Sequence, residues 1–311
     1  MTQLSATPEV ARLSASLAPP APALRAAVEH CRRFTRSHYE NFSVASWFVP
    51  RSLRPHFWAS YAYCRSADDL ADGAANAADA LRRLDEWETL LDGCYEGQPS
   101  HPVFVALQHT IREFGIPRQP FADLLSAFRQ DQRVTRYATH DDVLGYCRGS
   151  ANPVGRLILY VGRCCDERRA ALADSICTGL QLANFCQDVA RDGDLGRVYL
   201  PQATLDRAGY TAEMFARREF NDAFRRVMVE EVDRAADYLR GGEPLVGLMP
   251  KQLRRQVGLF VAGGLEILQA IRRQNYDVWM RRPVVSRWSQ ARLLWRGLIA
   301  PSAPRVAGDD S

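Results

Sequence analysis

Three aspartates, Asp68, Asp69 and Asp72, stand close together in the stretch YCRSADDLAD. Residues three and four apart share a face of a helix, so these aspartates, Tyr61 and Arg65 would form one polar stripe on an otherwise apolar segment. Like charges at this spacing repel one another unless something compensates them. The stripe therefore points to a ligand of opposite charge.

A second stripe occurs far downstream, in QLANFCQDVARD. Its members repeat at a spacing of three and four and are Gln181, Asn184, Asp188 and Asp192. Apolar residues surround them, so a stripe facing bulk water is unexpected on this helix. Burying an uncompensated charge costs several kcal/mol, which again calls for a compensating ligand.

Carboxylate and amide oxygens are the donors that Mg²⁺ prefers, with Mn²⁺ as an alternative. Two stripes on facing helices would hold divalent cations, and those cations would hold a diphosphate. The metal-ligand candidates are Asp68, Asp69, Asp72, Asn184, Asp188 and Asp192. Taken alone, DDLAD is equally well interpreted as a solvated helix end, and the second stripe is what favours the metal.

The segments that must position these stripes show mainly the sequence signals of helices. Proline and glycine fall at intervals typical of helix boundaries, and strand-like alternation is nearly absent. THDDV at 139–143 is a strong helix start, with Thr139 as the cap and acids in the first turn. We predict one all-α domain of about ten helices at 21–285, an N-terminal tail at 1–20, and an amphipathic segment with a loose tail at 286–311.

Composition narrows the class further. The chain has 311 residues and a net charge of +4, too small and dispersed a surplus to indicate a nucleic-acid partner. Eight cysteines without a CxxC pair favour reduced thiols and a cytoplasmic protein. No apolar run has the length of a membrane span. Residues 285–300 combine Trp and Arg, which is typical either of peripheral contact with the inner membrane or of a terminal helix packed on the fold.

The chain resembles the squalene/phytoene synthase family of trans-isoprenoid synthases from about residue 30 to 285. The resemblance rests on YAYCRSADDLAD, YCRGSANPVG, QLANFCQDVARD followed by GRVYLP, and QNYDVWMRRP. It implies the all-α isoprenoid synthase fold, with a central cavity between helices. It also implies Mg²⁺-dependent chemistry on a prenyl diphosphate substrate, and no nucleotide cofactor is predicted.

The resemblance also implies roles for individual residues. The catalytic candidates are Asp68, Asp69, Asp72, Asp188, Asp192 and Tyr199, the last of these near the reacting carbons. The substrate-binding candidates are Asn41, Phe42, Tyr61, Arg65, Asn152 and Gln181.

Several positions depart from the usual family pattern. Tyr39 and Asn41 replace a pair of serines, and Ser150, Ala151 and Asn152 replace a Val-Ala-Gly triplet. In the second motif Gln187 stands where an arginine is usual, and Arg191 where an acid is common.

These Asn and Ser residues would make the wall of the expected cavity more polar where a carbocation would lie. HYENFS and SANPVGR resemble the hydroxysqualene synthase branch of the hopanoid pathway, whose members take presqualene diphosphate and quench its cation with water. Asn152 or Asn41 would hold that water. The product would then pass to downstream squalene-forming enzymes.

Two rival functions remain open. One is head-to-head condensation of two farnesyl diphosphates to presqualene diphosphate or squalene, or of geranylgeranyl diphosphates to phytoene. The other is a four-helix di-iron protein, which needs Glu-x-x-His motifs that the six histidines do not supply near the stripes.

The two interpretations of the C-terminal segment differ in a measurable way. If it binds a membrane surface, removing residues 284–311 should abolish co-sedimentation with anionic liposomes, because its Trp and Arg side chains supply the contact. Equal co-sedimentation of the full and shortened chains would show that the segment plays no part in membrane binding.

Overall fold

The computed structural model describes residues 21–38 and 49–284. In these ranges the chain is helical, and its β-structure is confined to one isolated parallel bridge between Arg136 and Val198. The all-α prediction is confirmed. The predicted tails lie outside the described residues, as do Tyr39, Asn41 and Phe42.

Fourteen helices make up the described ranges, more than the ten or so predicted. The helices are α1 (Ala21–Ser37), α2 (Arg54–Asp72), α3 (Ala77–Glu96), α4 (Pro102–Phe114), α5 (Gln119–Asp131), α6 (His140–Ser150), α7 (Asn152–Val161), α8 (Glu167–Gln187), α9 (Val189–Asp194), α10 (Gln202–Ala208), α11 (Ala212–Ala216), α12 (Asp222–Gly242), α13 (Leu245–Leu248) and α14 (Lys251–Arg273). The excess comes from helices such as α9, α11 and α13, of 6, 5 and 4 residues, which are too short to show a periodic pattern.

The described residues group into two compact units, 21–38 with 50–134, and Val49 with 135–284. In the first unit, α1 to α5 pack around an aromatic core. Tyr63, Phe104 and Phe121 are fully buried, and the Tyr63 hydroxyl donates to the Phe121 carbonyl at 3.0 Å. This bond satisfies the one polar group of the Tyr63 side chain, which is otherwise a large buried ring.

Helix α2 carries the first aspartate stripe and is buried on its opposite side. Proline at the start of the helix suits its unpaired first turn, and Gly73 ends it. The buried side is lined mainly by alanines, including Ala59, Ala62 and Ala67. Because the alanine side packs inward, the polar stripe is turned away from the core of its own unit.

In the second unit, α8 packs against α7, α12 and α14. Glycines let these helices approach closely. A Cβ added at Gly179 of α8 would lie 2.8 Å from Leu239 of α12, and one at Gly264 of α14 would lie 2.8 Å from Leu180. The close approach locks α8, which carries the second stripe, into the centre of this unit.

Local sequence signals account for several helix ends. Thr139 caps α6 as predicted, and Asp142 completes a capping box with it, each side chain being bonded to the backbone of the other residue. All eight cysteines are free thiols, as predicted. Within residues 21–38 and 49–284, no helix has the length and apolar character needed to cross a bilayer.

The glycine contacts generate a stability prediction. Gly179→Ala should lower the free energy of unfolding by about 2 kcal/mol, because the new methyl group meets Leu239 and its backbone in a packed interface. Gly263→Ala is the matched control, since a Cβ there meets nothing within 4 Å and alanine favours the helix by roughly 0.5–1 kcal/mol. Urea denaturation of both variants measures the difference; equal effects would contradict the close approach of α8 and α12.

Candidate active site

Arg65 compensates the first aspartate stripe. Its guanidinium Nη1 lies 3.0 Å from Asp68 Oδ2 and its Nη2 lies 2.8 Å from Asp69 Oδ1. The helical spacing of three and four brings these groups together, as predicted. Burial works to lower the pKa of Arg65, but the neighbouring charges of Asp68 and Asp69 outweigh it and raise that pKa. In this state an arginine of the same helix offsets the repulsion between the two carboxylates.

His38 is a member of this cluster that sequence reasoning missed. Its Nε2 lies 3.3 Å from Asp69 Oδ2, and its backbone carbonyl accepts a hydrogen bond from the Tyr61 hydroxyl at 3.1 Å. Burial raises the pKa of Tyr61. No local pattern marks His38, since it follows the end of α1 and reaches α2 only through the packing of the two helices. Its place at the start of HYENFS was the one available signal.

The second stripe runs along the end of α8 and into α9. The burial pattern follows the sequence: Leu182, Phe185 and Cys186 are buried, whereas Gln181 and Asp188 are half-buried. Asp188 caps α8, with its N–H donating to the Asn184 carbonyl at 2.8 Å, and its own carbonyl accepts from the Asp192 N–H at 2.9 Å. The break between α8 and α9 therefore falls within the motif.

The expectation that both stripes are withdrawn from solvent is wrong for two members. Asn184 and Asp72 are exposed. Both residues belong to helices whose buried residues are mainly apolar and lie on other sides of the helix. That the two stripes face each other, and that a central cavity lies between the helices, stay predictions.

Arg282 is the second functional candidate that sequence reasoning missed. Its Nε donates to Asp188 Oδ1 at 2.5 Å and its Nη2 donates to Asp188 Oδ2 at 2.9 Å. Such a bidentate ion pair is stronger than a neutral hydrogen bond because both partners are charged. Arg282 therefore belongs to the cluster around Asp188, although it lies 94 residues further along the chain. The marker QNYDVWMRRP contains Arg282, which was the available signal.

Tyr199 lies in an aromatic cluster of the second unit. Its ring stacks on Phe185 with centroids 4.0 Å apart and planes at 7°, and Tyr146 and Tyr137 lie 5.5 and 5.7 Å away. The bridge at Val198, whose N–H donates to the Thr135 carbonyl at 2.8 Å, fixes the preceding backbone. The cluster presents a group of π-faces of the kind that attract a cation.

Asn152 begins α7 and is buried, with 5% of its surface exposed. Its Oδ1 accepts a hydrogen bond from the Thr178 hydroxyl at 3.0 Å. Helices α7 and α8 meet closely here, since a Cβ at Gly155 would lie 2.7 Å from Cys177 Sγ. The amide is therefore held in one orientation, rather than free to rotate.

The donor set fits a hard divalent cation in its chemistry. Mg²⁺ usually takes one or two carboxylates and completes its shell with water and phosphate oxygens. Asp188 and Asp192, one helical turn apart, offer that number. In the described ranges, no three or more His, Cys, Asp or Glu side chains are grouped so as to hold a metal by themselves. A substrate phosphate would have to complete the shell.

Comparison with known proteins places the chain in a family. The squalene/phytoene synthase family matches residues 35–289, and the chain belongs to it. The solved squalene synthase HpnC from Alicyclobacillus acidocaldarius is 48% identical, covers 83% of this chain and 97% of its own, and has a TM-score of 0.79.

Among sequence relatives, 15-cis-phytoene synthase of Synechococcus elongatus is 32% identical over 85% of this chain and 90% of its own length. A dehydrosqualene synthase solved with a ligand, at 24% identity and a TM-score of 0.81, covers 90% of this chain and 98% of its own. The isoprenoid synthase fold expected from the sequence is confirmed.

The Arg65 contacts generate a prediction on stability. Arg65→Gln should lower the free energy of unfolding by about 1 kcal/mol at low salt, since it removes the arginine that pairs with both Asp68 and Asp69; the loss stays small because the Arg65 side chain is 39% exposed. The loss should shrink at about 0.5 M NaCl, because salt screens the remaining repulsion. Chemical denaturation at both salt concentrations provides the measurement.

Arg82→Gln serves as the control for Arg65→Gln. Arg82 is 60% exposed and pairs with Asp79 and Glu86, so its loss should cost less. An Arg65→Gln protein as stable as the parent at low salt would show that the aspartates need no compensation from this arginine.

Proposed function

We propose that the chain is a hydroxysqualene synthase: a Mg²⁺-dependent enzyme that ionises presqualene diphosphate, captures the carbocation with water and releases diphosphate. The observation that carries the proposal is the buried Asn152 amide held by Thr178, at the position where the family's usual triplet is apolar and small. The 48% identity to squalene synthase HpnC supports it.

Diphosphate leaves slowly unless its developing negative charge is neutralised. Bound Mg²⁺ would supply that neutralisation, held by Asp68, Asp69, Asp72, Asn184, Asp188 and Asp192. Arg65 is charged at every working pH and would contribute a second positive group beside the first motif. Tyr61, whose hydroxyl is fixed on the His38 carbonyl, would line the same side of α2.

The carbocation must then rearrange without early attack by solvent. Tyr199 and Phe185, stacked at 4.0 Å, would line its path with π-faces and exclude water. Ring stacking limits the motion of Tyr199, so the lining is preorganised. Neighbouring rings of Tyr137 and Tyr146 extend the same surface.

A single held water would end the reaction. Thr178 uses one lone pair of Asn152 Oδ1, and the second lone pair can accept an O–H of that water. A water bound in this way keeps its own lone pairs free for attack on the cation. After the C–O bond forms and a proton is lost, the product is an alcohol.

Head-to-head condensation of two prenyl diphosphates is the second candidate. It is favoured by the phytoene synthase relatives, at 32% identity for Synechococcus elongatus and 31% for Synechocystis. Both candidates use the same aspartate motifs, so the motifs do not discriminate between them. The two candidates differ in the substrate that the enzyme would convert.

Purified protein incubated with Mg²⁺ and either presqualene diphosphate or farnesyl diphosphate should convert only the former, with hydroxysqualene identified by mass spectrometry. The reaction should stop when the metal is chelated. Conversion of farnesyl or geranylgeranyl diphosphate to a head-to-head product would establish the second candidate instead.

Variants at the proposed water site should change the product rather than only the rate. Asn152→Leu should lower the ratio of alcohol to rearranged hydrocarbon by about tenfold, because it removes the acceptor that holds the water. Thr178→Val should shift the ratio in the same direction but less, since the amide stays and only its orientation is freed. Chromatography of the products gives both ratios.

Thr35→Val is the matched control, because Thr35 is also buried and its hydroxyl donates only to the Cys31 carbonyl within α1. Its product ratio should equal that of the parent. An unchanged ratio in Asn152→Leu would remove Asn152 from the proposed mechanism.

A further inference from the structure

Gln187 and Arg282 form a closed hydrogen-bonded clamp beside the second aspartate motif. Arg282 Nη2 donates to Gln187 Oε1 at 3.1 Å, and Gln187 Nε2 donates to the Pro283 carbonyl at 2.6 Å. Gln187 is only 6% exposed, so both ends of its amide are satisfied away from water. Loss of either partner would leave a buried polar atom unpaired.

The clamp fastens the C-terminal strap, residues 275–284, onto the end of α8. The strap turns away from α14 through Asn275 and Tyr276, which have φ of +53° and +64°. These left-handed conformations are unfavourable for residues other than glycine, so contacts further along must hold the turn. Trp279 provides one such contact, packing at 5.1 Å on Phe224.

The clamp also limits which other groups can bind to the Asp188 carboxylate. Both carboxylate oxygens of Asp188 accept from Arg282, at 2.5 and 2.9 Å. A glutamine at 187 is suited to this arrangement because it accepts from the guanidinium and donates to the strap carbonyl at the same time. An arginine there has no acceptor and would repel Arg282.

We propose that Arg282, positioned by Gln187, is the internal counter-ion of the second motif and competes with the catalytic cation for Asp188. Cation binding displaces the guanidinium and loosens the strap, so the state of Asp188 is coupled to the strap. Arg282 is thus a positioning residue for the motif. The inference rests on the metal site of the proposed function.

The competition predicts that removing Arg282 strengthens cation binding. Mn²⁺ alone, without substrate, should bind Arg282→Gln about tenfold more tightly than the parent, because no charged hydrogen bonds need breaking. Loss of free Mn²⁺ by electron paramagnetic resonance gives the dissociation constants. Gln187→Leu should strengthen binding by a smaller factor, roughly threefold, since Arg282 stays but loses its support.

Arg281→Gln is the matched control. It makes the same change of charge one residue earlier, where the guanidinium Nη2 lies 3.2 Å from the side-chain amide of Gln274 rather than at the motif. Its Mn²⁺ affinity should stay within about twofold of the parent, because only screened long-range charge is lost. Equal affinities for Arg281→Gln and Arg282→Gln would overturn the competition while leaving the metal site intact.

Hydrogen exchange of the strap provides a second readout that does not depend on activity. Peptides covering residues 275–284 should exchange faster in Arg282→Gln and Gln187→Leu than in the parent, and faster in the parent when Mn²⁺ is added. Strap exchange that is unchanged in both variants would overturn the clamp. Absence of Mn²⁺ binding to every form would overturn the competition together with the metal site, and the exchange rates would still decide the clamp.

Discussion

Compensation of closely spaced carboxylates is the constraint on which this molecule depends. Two helices each carry aspartates one turn apart, and each set has an arginine fixed on it in the described structure: Arg65 on Asp68 and Asp69, and Arg282 on Asp188. Charged groups at this separation lower stability when unpaired, and paired ones stay available for exchange with another cation. The metal proposed for these carboxylates would have to take the place of the arginines or share the carboxylates with them.

The two arginines reach their partners in different ways. Arg65 sits on the same helix as its aspartates, so its contact needs only helical geometry. Arg282 comes from a segment 94 residues away in the chain and is held by the buried amide of Gln187. The first pair is local, and the second depends on tertiary structure.

The proposed reaction requires two opposed properties in one enzyme. Diphosphate release needs strong charge, whereas the carbocation needs a surface that does not react with it. The chain separates them by residue type: aspartates, arginines and amides make up the two polar stripes, and the ring of Tyr199 stacks on Phe185 of α8. Asn152 adds one polar group, and its fixed orientation restricts where water can be held.

The sequence by itself determined the helical class, the helix cap at Thr139, the alternation of polar and buried positions on α8, and membership of the family. All of these follow from local spacing or from motifs that the chain displays directly. Only the tertiary structure decided that His38 lies beside Asp69, that Arg282 pairs with Asp188, and that Thr178 holds Asn152. Such partners come from different helices, and packing rather than periodicity brings them together, so spacing along the chain carries no record of them.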